Sequence, residues 1–302
     1  MAADAVLGDP RRAHPVAGFG VVAAALERRC YADRRGAGVM YTGALVGAAV
    51  ALGVVGERAV AARPVAGVAL TAVATWAVLG GTSLAREGAG LAAELTVVDL
   101  VAARARLPSL CGRDPAALDG AGLARAGTES VAENTSDAVV APLLWGAVAG
   151  VPGLLGYRAV NTLDAMVGHR CTRYRRFGWA AARLDDAANL VPARVAAVLF
   201  TMLAPAVGGS PRAALAAWRR DARAHPSPNA GAVEAAAAGA LGVALGGPTV
   251  YPHVVEDRPR LGAGLPPTPA DLRRAARLSH LVGWASAVLA AGLAAARRSP
   301  AA

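Results

Sequence analysis

The chain has 302 residues, of which 55% are apolar and only 17% are charged, and its formal net charge is +10. A mean hydropathy of +0.40 excludes an ordinary water-soluble enzyme and an intrinsically disordered chain. All 31 basic residues are Arg, which excludes a P-loop with its Lys and a pyridoxal phosphate Schiff base.

Six segments of the sequence contain no charged residue. They cover 36–56, 64–85, 138–157, 195–211, 235–255 and 278–296. A helix needs about 20 such residues to cross a bilayer. The segments 36–56, 64–85 and 278–296 are therefore predicted to span the membrane, the first two as a helical hairpin. The charge order of the first residues does not fit a signal peptide.

The middle segments are less regular. Pro142, Pro152 and four Gly interrupt 138–157, which predicts a broken or re-entrant segment covered by other parts of the protein. The segments 195–211 and 235–247 are predicted as further membrane or buried helices. Strand-like alternation is absent, so the predicted fold class is all-α. We expect a polytopic helical membrane protein, with polar cytoplasmic connections, as one integral domain over 1–302.

The first polar segment with residues that could take part in a reaction is TESVAENTSD, at 128–137. On a helix, Glu129, Glu133 and Asp137 share one face, where like charges repel each other. A cation would relieve this repulsion, and Mg²⁺ held by carboxylates and substrate phosphates is a natural candidate. Alternatively, Ser130 and Glu133 form a capping box that merely starts a helix.

A second segment, YRAVNTLDAMVG, contains Asn161 and Asp164. Asn161 or Thr162 could cap a new helix with Asp164 in its first turn. Backbone amides and a carboxylate at such a helix start could instead hold a phosphate and its cation. The residues alone leave both interpretations open.

A third segment, at 173–192, has an Arg cluster and the aromatic pair Phe177 and Trp179 before a short acidic helix. Basic and aromatic residues together are typical of anchoring at a membrane interface. On the helix, Asp185 and Asn189 share a face, and Arg183 and Asp186 have the spacing of an ion pair. Two adjacent acids beside Asn and Arg also fit a nucleotide-phosphate and metal site.

The fourth segment, at 219–234, is built around a Pro-Ser-Pro-Asn loop. Pro226 and Pro228 prevent a helix there, so the loop leads into the start of an Ala-rich helix, a position that favours anions. Three Arg precede it: Arg219, Arg220 and Arg223. Arg binds phosphate in a bidentate manner, while Glu234 is explained equally well as compensation of the helix dipole.

Six strings match one known family in order and spacing. They are LGDPRRAHPV, ESVAENTSDAVVAPLLW, YRAVNTLDAMVG, FGWAAARLDDAANLVPAR, RDARAHPSPNAGAVEAAAAGALGV and RPRLG. Over about 4–262 the chain thus resembles the membrane-bound adenosylcobinamide-phosphate synthase family of cobalamin biosynthesis. Ala138 and Ala165 stand where that family usually has Gly and Ser.

This resemblance implies ATP-dependent ligation of adenosylcobyric acid to (R)-1-amino-2-propanol or its O-phosphate. It also implies ATP and Mg²⁺ as cofactors, a multi-pass location in the cell membrane and no nucleic-acid partner. Other cobalamin-pathway enzymes are candidate partners. The alternative is a membrane transporter for a corrinoid or another solute, but its polar residues should lie within the apolar segments, whereas here they flank them.

For this ligation the polar residues receive three predicted roles. The catalytic candidates are Glu129, Glu133, Asp185 and His225, with His225 as the base that takes the amine proton. The predicted Mg²⁺ ligands are Asp137 and Asp186. The predicted substrate-binding residues are Asn134, Asn161, Asp164, Arg183, Asn189, Arg219, Arg220, Arg223 and Asn229.

Overall fold

The computed structural model describes residues 14–169, 171–251 and 254–298, which form twelve α-helices and a two-stranded sheet. Helices α1 to α12 cover, in order, Pro15–Cys30, Arg35–Val60, Pro64–Val78, Gly81–Thr96, Leu100–Arg106, Gly120–Thr135, Ala141–Val167, Trp179–Ala188, Leu190–Leu203, Pro211–Asp221, Ala230–Leu241 and Pro269–Arg298. Strands β1 (Leu245–Tyr251) and β2 (Val254–Leu261) pair antiparallel. The start of the first matching string, at 7–13, lies outside the described residues.

Five helical segments of the described chain are long and apolar enough to cross a membrane. They are Arg35–Val60, Pro64–Thr96, Gly120–Val167, Leu190–Val207 and Pro269–Arg297. The predicted class of a polytopic helical membrane protein is therefore confirmed. The apolar segment 64–85 is divided between α3 and α4, which are separated at 79–80.

Contacts within the chain define two compact units. The first contains Met1–Gly80, Ala141–Asn189 and Ala287–Ala302, and the second contains Gly81–Val140 and Leu190–Ser286. The single integral domain expected over 1–302, with crossings at 36–56, 64–85 and 278–296, stays a prediction.

In the first unit, α7 is broken at Gly150, whose φ is 64°. The irregularity that Pro152 predicts is therefore present. This left-handed φ favours glycine, and a Cβ at position 150 would lie 2.3 Å from Glu57 Oε1. The same Oε1 accepts a 2.8 Å hydrogen bond from the backbone N of Val151. Helix α2 thus supplies an acceptor for the backbone donor that the break exposes.

In the second unit, α11 is a buried helix all of whose twelve residues are shielded from solvent. It packs against α9 and α10. A Cβ at Gly239 would lie 2.4 Å from Ala213 O, so the small residue permits the close approach of α10. The predicted buried helix of about a dozen residues is present, and it ends at Gly242, with φ 72°.

The β1–β2 hairpin differs from the all-helical expectation. Gly246 and Gly247 have φ of 83° and 85°, a left-handed conformation that favours glycine. Arg125 of α6 donates to the carbonyls of Gly246, at 2.8 Å, and of Pro248, at 2.6 Å. The strands therefore depend on a side chain more than a hundred residues away, which local alternation of residues does not reveal.

Candidate functional site

The predicted site residues fall into two groups, one in each unit. The first unit contains Asn161, Asp164, Arg183, Asp185, Asp186 and Asn189. The second unit contains Glu129, Glu133, Asn134, Asp137, Arg219, Arg220, Arg223, His225 and Asn229.

Glu129 lies buried within α6 of the second unit, with 1% of its surface exposed. Because this helix begins at its Asp119 cap, the interpretation of Ser130 as a capping residue is wrong. The Glu129 carboxylate accepts hydrogen bonds from the guanidinium of Arg113 and, at 2.7 Å, from the backbone N of Gly246. These donors offset the cost of burying its charge.

The helix type changes within the segment of the predicted acidic face. Glu133 follows Glu129 by one helical turn and is half-buried. However, the α-helix ends at Thr135, and a π-helical turn, Ser136–Val140, contains Asp137. The regular α-helical spacing therefore stops before Asp137. The alignment of Asp137 with the two Glu stays a prediction.

Two predicted substrate-binding amides have partners within the protein. Asn134 Nδ2 donates to Ser130 O and Oγ, both at 3.0 Å. Asn229 Oδ1 accepts a 2.6 Å hydrogen bond from Arg194 Nη1. Asn229 therefore orients a guanidinium, and Asn134 donates to the preceding turn of its own helix.

A buried carboxylate, Glu234, faces an imidazole in the core of the second unit. Its Oε1 atom lies 4.0 Å from His225 Nε2 and 4.0 Å from Arg258 Nη1. Glu234 Oε1 and His225 Nε2 are both buried without a hydrogen-bond partner. On its other side, His225 Nδ1 accepts a 3.1 Å hydrogen bond from the backbone N of Ser227, and Ser227 O lies 3.2 Å from the same atom.

Burial shifts the pKa of each group in the direction that favours its neutral form. It raises the pKa of Glu234 well above the usual range, and the carboxylates of Glu133 and Glu129 raise it further. Burial lowers the pKa of His225, and the charge of Arg258 contributes to the same shift. A neutral imidazole is the form that can accept a proton, as a general base must.

A cavity of about 510 Å³ lies beside His225. Three guanidinium side chains line it, from Arg194, Arg219 and Arg223, and its described lining residues include no carboxylate. Three permanently charged groups of this kind suit the oxygens of a phosphate. The structure thus brings together Arg219 and Arg223, two of the three predicted Arg that precede the Pro-Ser-Pro-Asn loop, and adds Arg194.

Arg220 is engaged elsewhere. Its Nε and Nη2 atoms donate to Asp221 at 2.6 Å and 2.7 Å. This hydrogen-bonded pair holds the pKa of Asp221 below its usual range. Asp221 also accepts a 2.8 Å hydrogen bond from the backbone N of Gly262, so it ties the end of α10 to the end of the hairpin.

In the first unit, Asn161 and Asp164 lie in the last two turns of α7. The helix continues through its break at Gly150 and ends at Val167. The interpretation that Asn161 or Thr162 caps a new helix is therefore wrong, and no helix start is available there for a phosphate.

Asp185 is held by side-chain amides in the first unit. Asn189 Nδ2 donates to one of its oxygens at 3.0 Å, and Asn161 Nδ2 lies 3.5 Å from the other. The hydroxyl of Tyr157 donates to Asn189 Oδ1 at 2.8 Å and so fixes the amide. Burial raises the pKa of Asp185 to about 7, and the nearby Asp164 carboxylate adds to this shift.

Asp186 forms the predicted ion pair with Arg183, at 3.5 Å. The described part of the chain contains no group of three or more His, Cys, Asp or Glu arranged to hold a metal ion. Mg²⁺ is usually held by only one or two carboxylates together with substrate phosphates. An isolated carboxylate can therefore serve as a ligand of such an ion. Asp137 and Asp186 stay predicted ligands of a nucleotide-bound Mg²⁺.

Five residues that lie beside the candidates have no site role predicted from the sequence. They are Arg113, Tyr157, Arg194, Glu234 and Arg258. Each acts through a partner at least nine residues away, and no local spacing indicates such a pairing. Only Glu234 carries a signal, since an acid in an otherwise apolar Ala-rich helix requires a partner.

Comparison with known proteins identifies the family. The model of the CobD/Cbib protein family matches residues 1–279. A cobalamin biosynthesis protein CobD of Mycobacterium tuberculosis is 60% identical over 296 residues, covering 98% of this chain and 94% of the relative. A CobD of Rhodobacter capsulatus is 44% identical over 288 residues, covering 90% of this chain and 88% of the relative.

The CobD of Geobacter metallireducens is 45% identical over 277 residues, covering 90% of this chain and 87% of the relative. No solved structure matches the chain significantly. Because the family model covers most of the chain and the relatives align over nearly their whole length, this helical membrane protein belongs to the CobD/CbiB family of cobalamin biosynthesis.

Proposed function

We propose that this protein is an ATP-dependent ligase that joins adenosylcobyric acid to (R)-1-amino-2-propanol or its O-phosphate, which gives adenosylcobinamide or its phosphate. The observation that carries this proposal is the cavity lined by Arg194, Arg219 and Arg223 beside His225. It combines phosphate-binding groups with a neutral base, the two functions that this ligation requires.

The chemistry explains why both functions are needed. A carboxylate resists attack by an amine until ATP, with Mg²⁺, converts it to an acyl phosphate. In the cavity, the three guanidiniums bind the phosphate oxygens and stabilise their charge. His225 accepts the proton that the ammonium loses before it attacks. In a chain without Lys, Arg and backbone amides hold the phosphates.

We also propose roles for a cluster of polar residues in the first unit. We assign Asp185 a catalytic role, with Asn161, Asp164, Arg183 and Asn189 as substrate-binding residues. The hydrogen bonds from Asn189 and Asn161 support this assignment, because they fix the direction of the carboxylate. We expect the protein in the cell membrane, where other enzymes of the pathway supply the corrinoid.

The test uses the purified full-length protein in detergent. Adenosylcobyric acid, ATP and Mg²⁺ are incubated with the amine or with its phosphate ester, and mass spectrometry identifies the product. We expect an amide product, with ATP hydrolysis that requires both the corrinoid and the amine. Uncoupled uptake of a corrinoid into proteoliposomes, without any amide product, would support a transporter instead.

A further inference from the structure

In the first unit, the loop after α7 meets the start of α2. Gly38, in the first turns of α2, lies against the carbonyl of Phe177, which follows the end of α7. Further along α2, Gly53 lies against Pro152 in the middle of α7. The two helices therefore run antiparallel, and the loop at 171–178 reaches the same end of the unit as the segment between α1 and α2.

Polar contacts fix this loop against the end of α1. Arg173 Nη2 donates to Glu27 Oε1 at 3.0 Å, and the hydroxyl of Tyr174 donates to the same oxygen at 2.9 Å. The hydroxyl of Tyr31 donates to Arg173 O at 2.8 Å. The guanidinium carbon of Arg173 lies 4.2 Å from the centre of the Tyr31 ring. These contacts join the two segments into one continuous surface.

The joined segments are strongly basic. Residues 27–35 and 171–179 carry seven exposed Arg, here called the basic surface: Arg28, Arg29, Arg34, Arg35, Arg173, Arg175 and Arg176. The same residues include two acids, Glu27 and Asp33, so a formal surplus of five positive charges remains. Within the described part of the chain, four of the seven form no ion pair: Arg28, Arg29, Arg34 and Arg35.

The basic surface lies at one end of an apolar helix that is long enough to cross a bilayer. Helix α2 begins at Arg35, and guanidinium groups are costly within hydrocarbon, so this end belongs at the level of the lipid headgroups. The exposed ring of Trp179 lies 5.2 Å from the guanidinium carbon of Arg35, and Trp is typical of that level. In the next turn of α2, Val39 and Met40 are exposed. Cationic groups thus adjoin exposed apolar side chains.

This arrangement matches the chemistry of an anionic phospholipid. Guanidinium groups bind phosphate oxygens in a bidentate manner, and acyl chains cover apolar side chains. A zwitterionic lipid has no net charge to offset the surplus. An acidic segment of another protein would offset the charge, but it would leave Val39 and Met40 uncovered.

We infer that the basic surface binds the headgroups of anionic phospholipids, with their acyl chains along the start of α2. Clusters of Arg beside a membrane-spanning helix attract anionic lipids through their summed charge. The inference concerns the contact of the first unit with the bilayer. It does not depend on the proposed ligase function.

Native mass spectrometry of the full-length protein in a neutral detergent tests this inference. Dioleoylphosphatidylglycerol and dioleoylphosphatidylcholine are added in equal amounts, and the retained copies of each lipid are counted. We expect the wild type to retain phosphatidylglycerol preferentially. The double variant Arg34→Gln with Arg175→Gln should reduce this preference at least about fivefold, because one Arg near an anionic surface contributes about 1 kcal/mol.

A matched double variant controls for the loss of charge. Arg212→Gln with Arg260→Gln removes two exposed Arg of the second unit and should keep the wild-type preference. Arg34 makes no side-chain cap bond at the start of α2, so its replacement removes charge without removing a helix cap. An equal loss of preference in both double variants would overturn the inference.

The wild type alone provides a second test that does not depend on the folding of a variant. Glycerophosphoglycerol, the headgroup without acyl chains, should leave the retained phosphatidylglycerol unchanged when it is added at the concentration of the lipid. Displacement of the lipid would assign the basic surface to a free phosphate ester and overturn the inference. Equal retention of the two lipids by the wild type would overturn it as well.

Discussion

The guanidinium of Arg113 pairs with the buried carboxylate of Glu129, sixteen residues further along the chain. Removal of one partner leaves a buried, uncompensated charge, which costs about 3–5 kcal/mol. We therefore expect Arg113→Ala to lower the thermal unfolding midpoint in detergent strongly. The double variant Arg113→Met with Glu129→Leu should lose less stability than the sum of the losses in its two single variants, because it removes both charges. Strictly additive losses would contradict this coupling.

The cavity predicts that two Arg of the same helix, α10, contribute differently to phosphate binding. Arg219 lines the cavity, whereas Arg212 is exposed and is not among its lining residues. Loss of a hydrogen bond to a charged group costs about 1.5–3 kcal/mol. Arg219→Ala should therefore raise the Kd for inorganic phosphate about tenfold to a hundredfold in calorimetric titration. Arg212→Ala should bind phosphate as tightly as the wild type does. An equal loss of phosphate affinity in both variants would exclude the cavity as the phosphate site.

The pair Arg220 and Asp221 makes stability depend on pH at the acidic end. The pKa of Asp221 is lowered in the folded protein, so its contribution is complete above the usual Asp pKa of about 3.9. It is lost as pH falls through the lowered value. Asp221→Asn should thus reduce the unfolding midpoint at pH 6, with a difference that shrinks below about pH 4. A difference independent of pH would show that charge plays no part.

Asp185 is expected to be required for turnover. Two amides fix its carboxylate, and its loss as an acid or base should lower kcat at least about a hundredfold in Asp185→Asn. The matched control is Asp33→Asn in the same unit, because that carboxylate is 58% exposed and lies 4.0 Å from Arg176. Unchanged amide production by Asp185→Asn would remove Asp185 from the catalytic residues.

Gly231 sets the position of the His225 loop. A Cβ at this residue would lie 2.6 Å from His225 Cβ and 2.4 Å from Ala222 O. Gly231→Ala should therefore displace the imidazole and lower amide production. The control is Gly292→Ala, which should leave production unchanged because a Cβ at that position has no atom within 4 Å. Rates of product formation at saturating substrate measure the difference. Wild-type rates for Gly231→Ala would show that the loop tolerates the displacement.

Features that depend on local composition could be predicted from the sequence. The long apolar helices, the irregular segment around Pro152 and the short buried helix after the Pro-Ser-Pro-Asn loop all follow from nearby residues. The ion pair between Arg183 and Asp186 also follows, because i,i+3 spacing places both side chains on one helix surface.

Features that depend on distant partners could not be predicted. Arg125 supports the hairpin through carbonyls more than a hundred residues away, and Glu129 accepts from Gly246 across a similar separation. The caps predicted at Ser130 and Asn161 were wrong because tertiary packing extends both helices past residues that often start one. The missed Arg194 has no local signal, since its partner Asn229 lies on a different segment.

The contact between Glu57 and the broken backbone at Val151 has a consequence for assembly. A backbone donor without an acceptor is unstable in lipid, so the break needs the carboxylate of Glu57 in place. Residue 57 is synthesised almost a hundred residues before its partner. Helix α2, which carries Glu57, is therefore already synthesised when the later segment needs an acceptor at its bend.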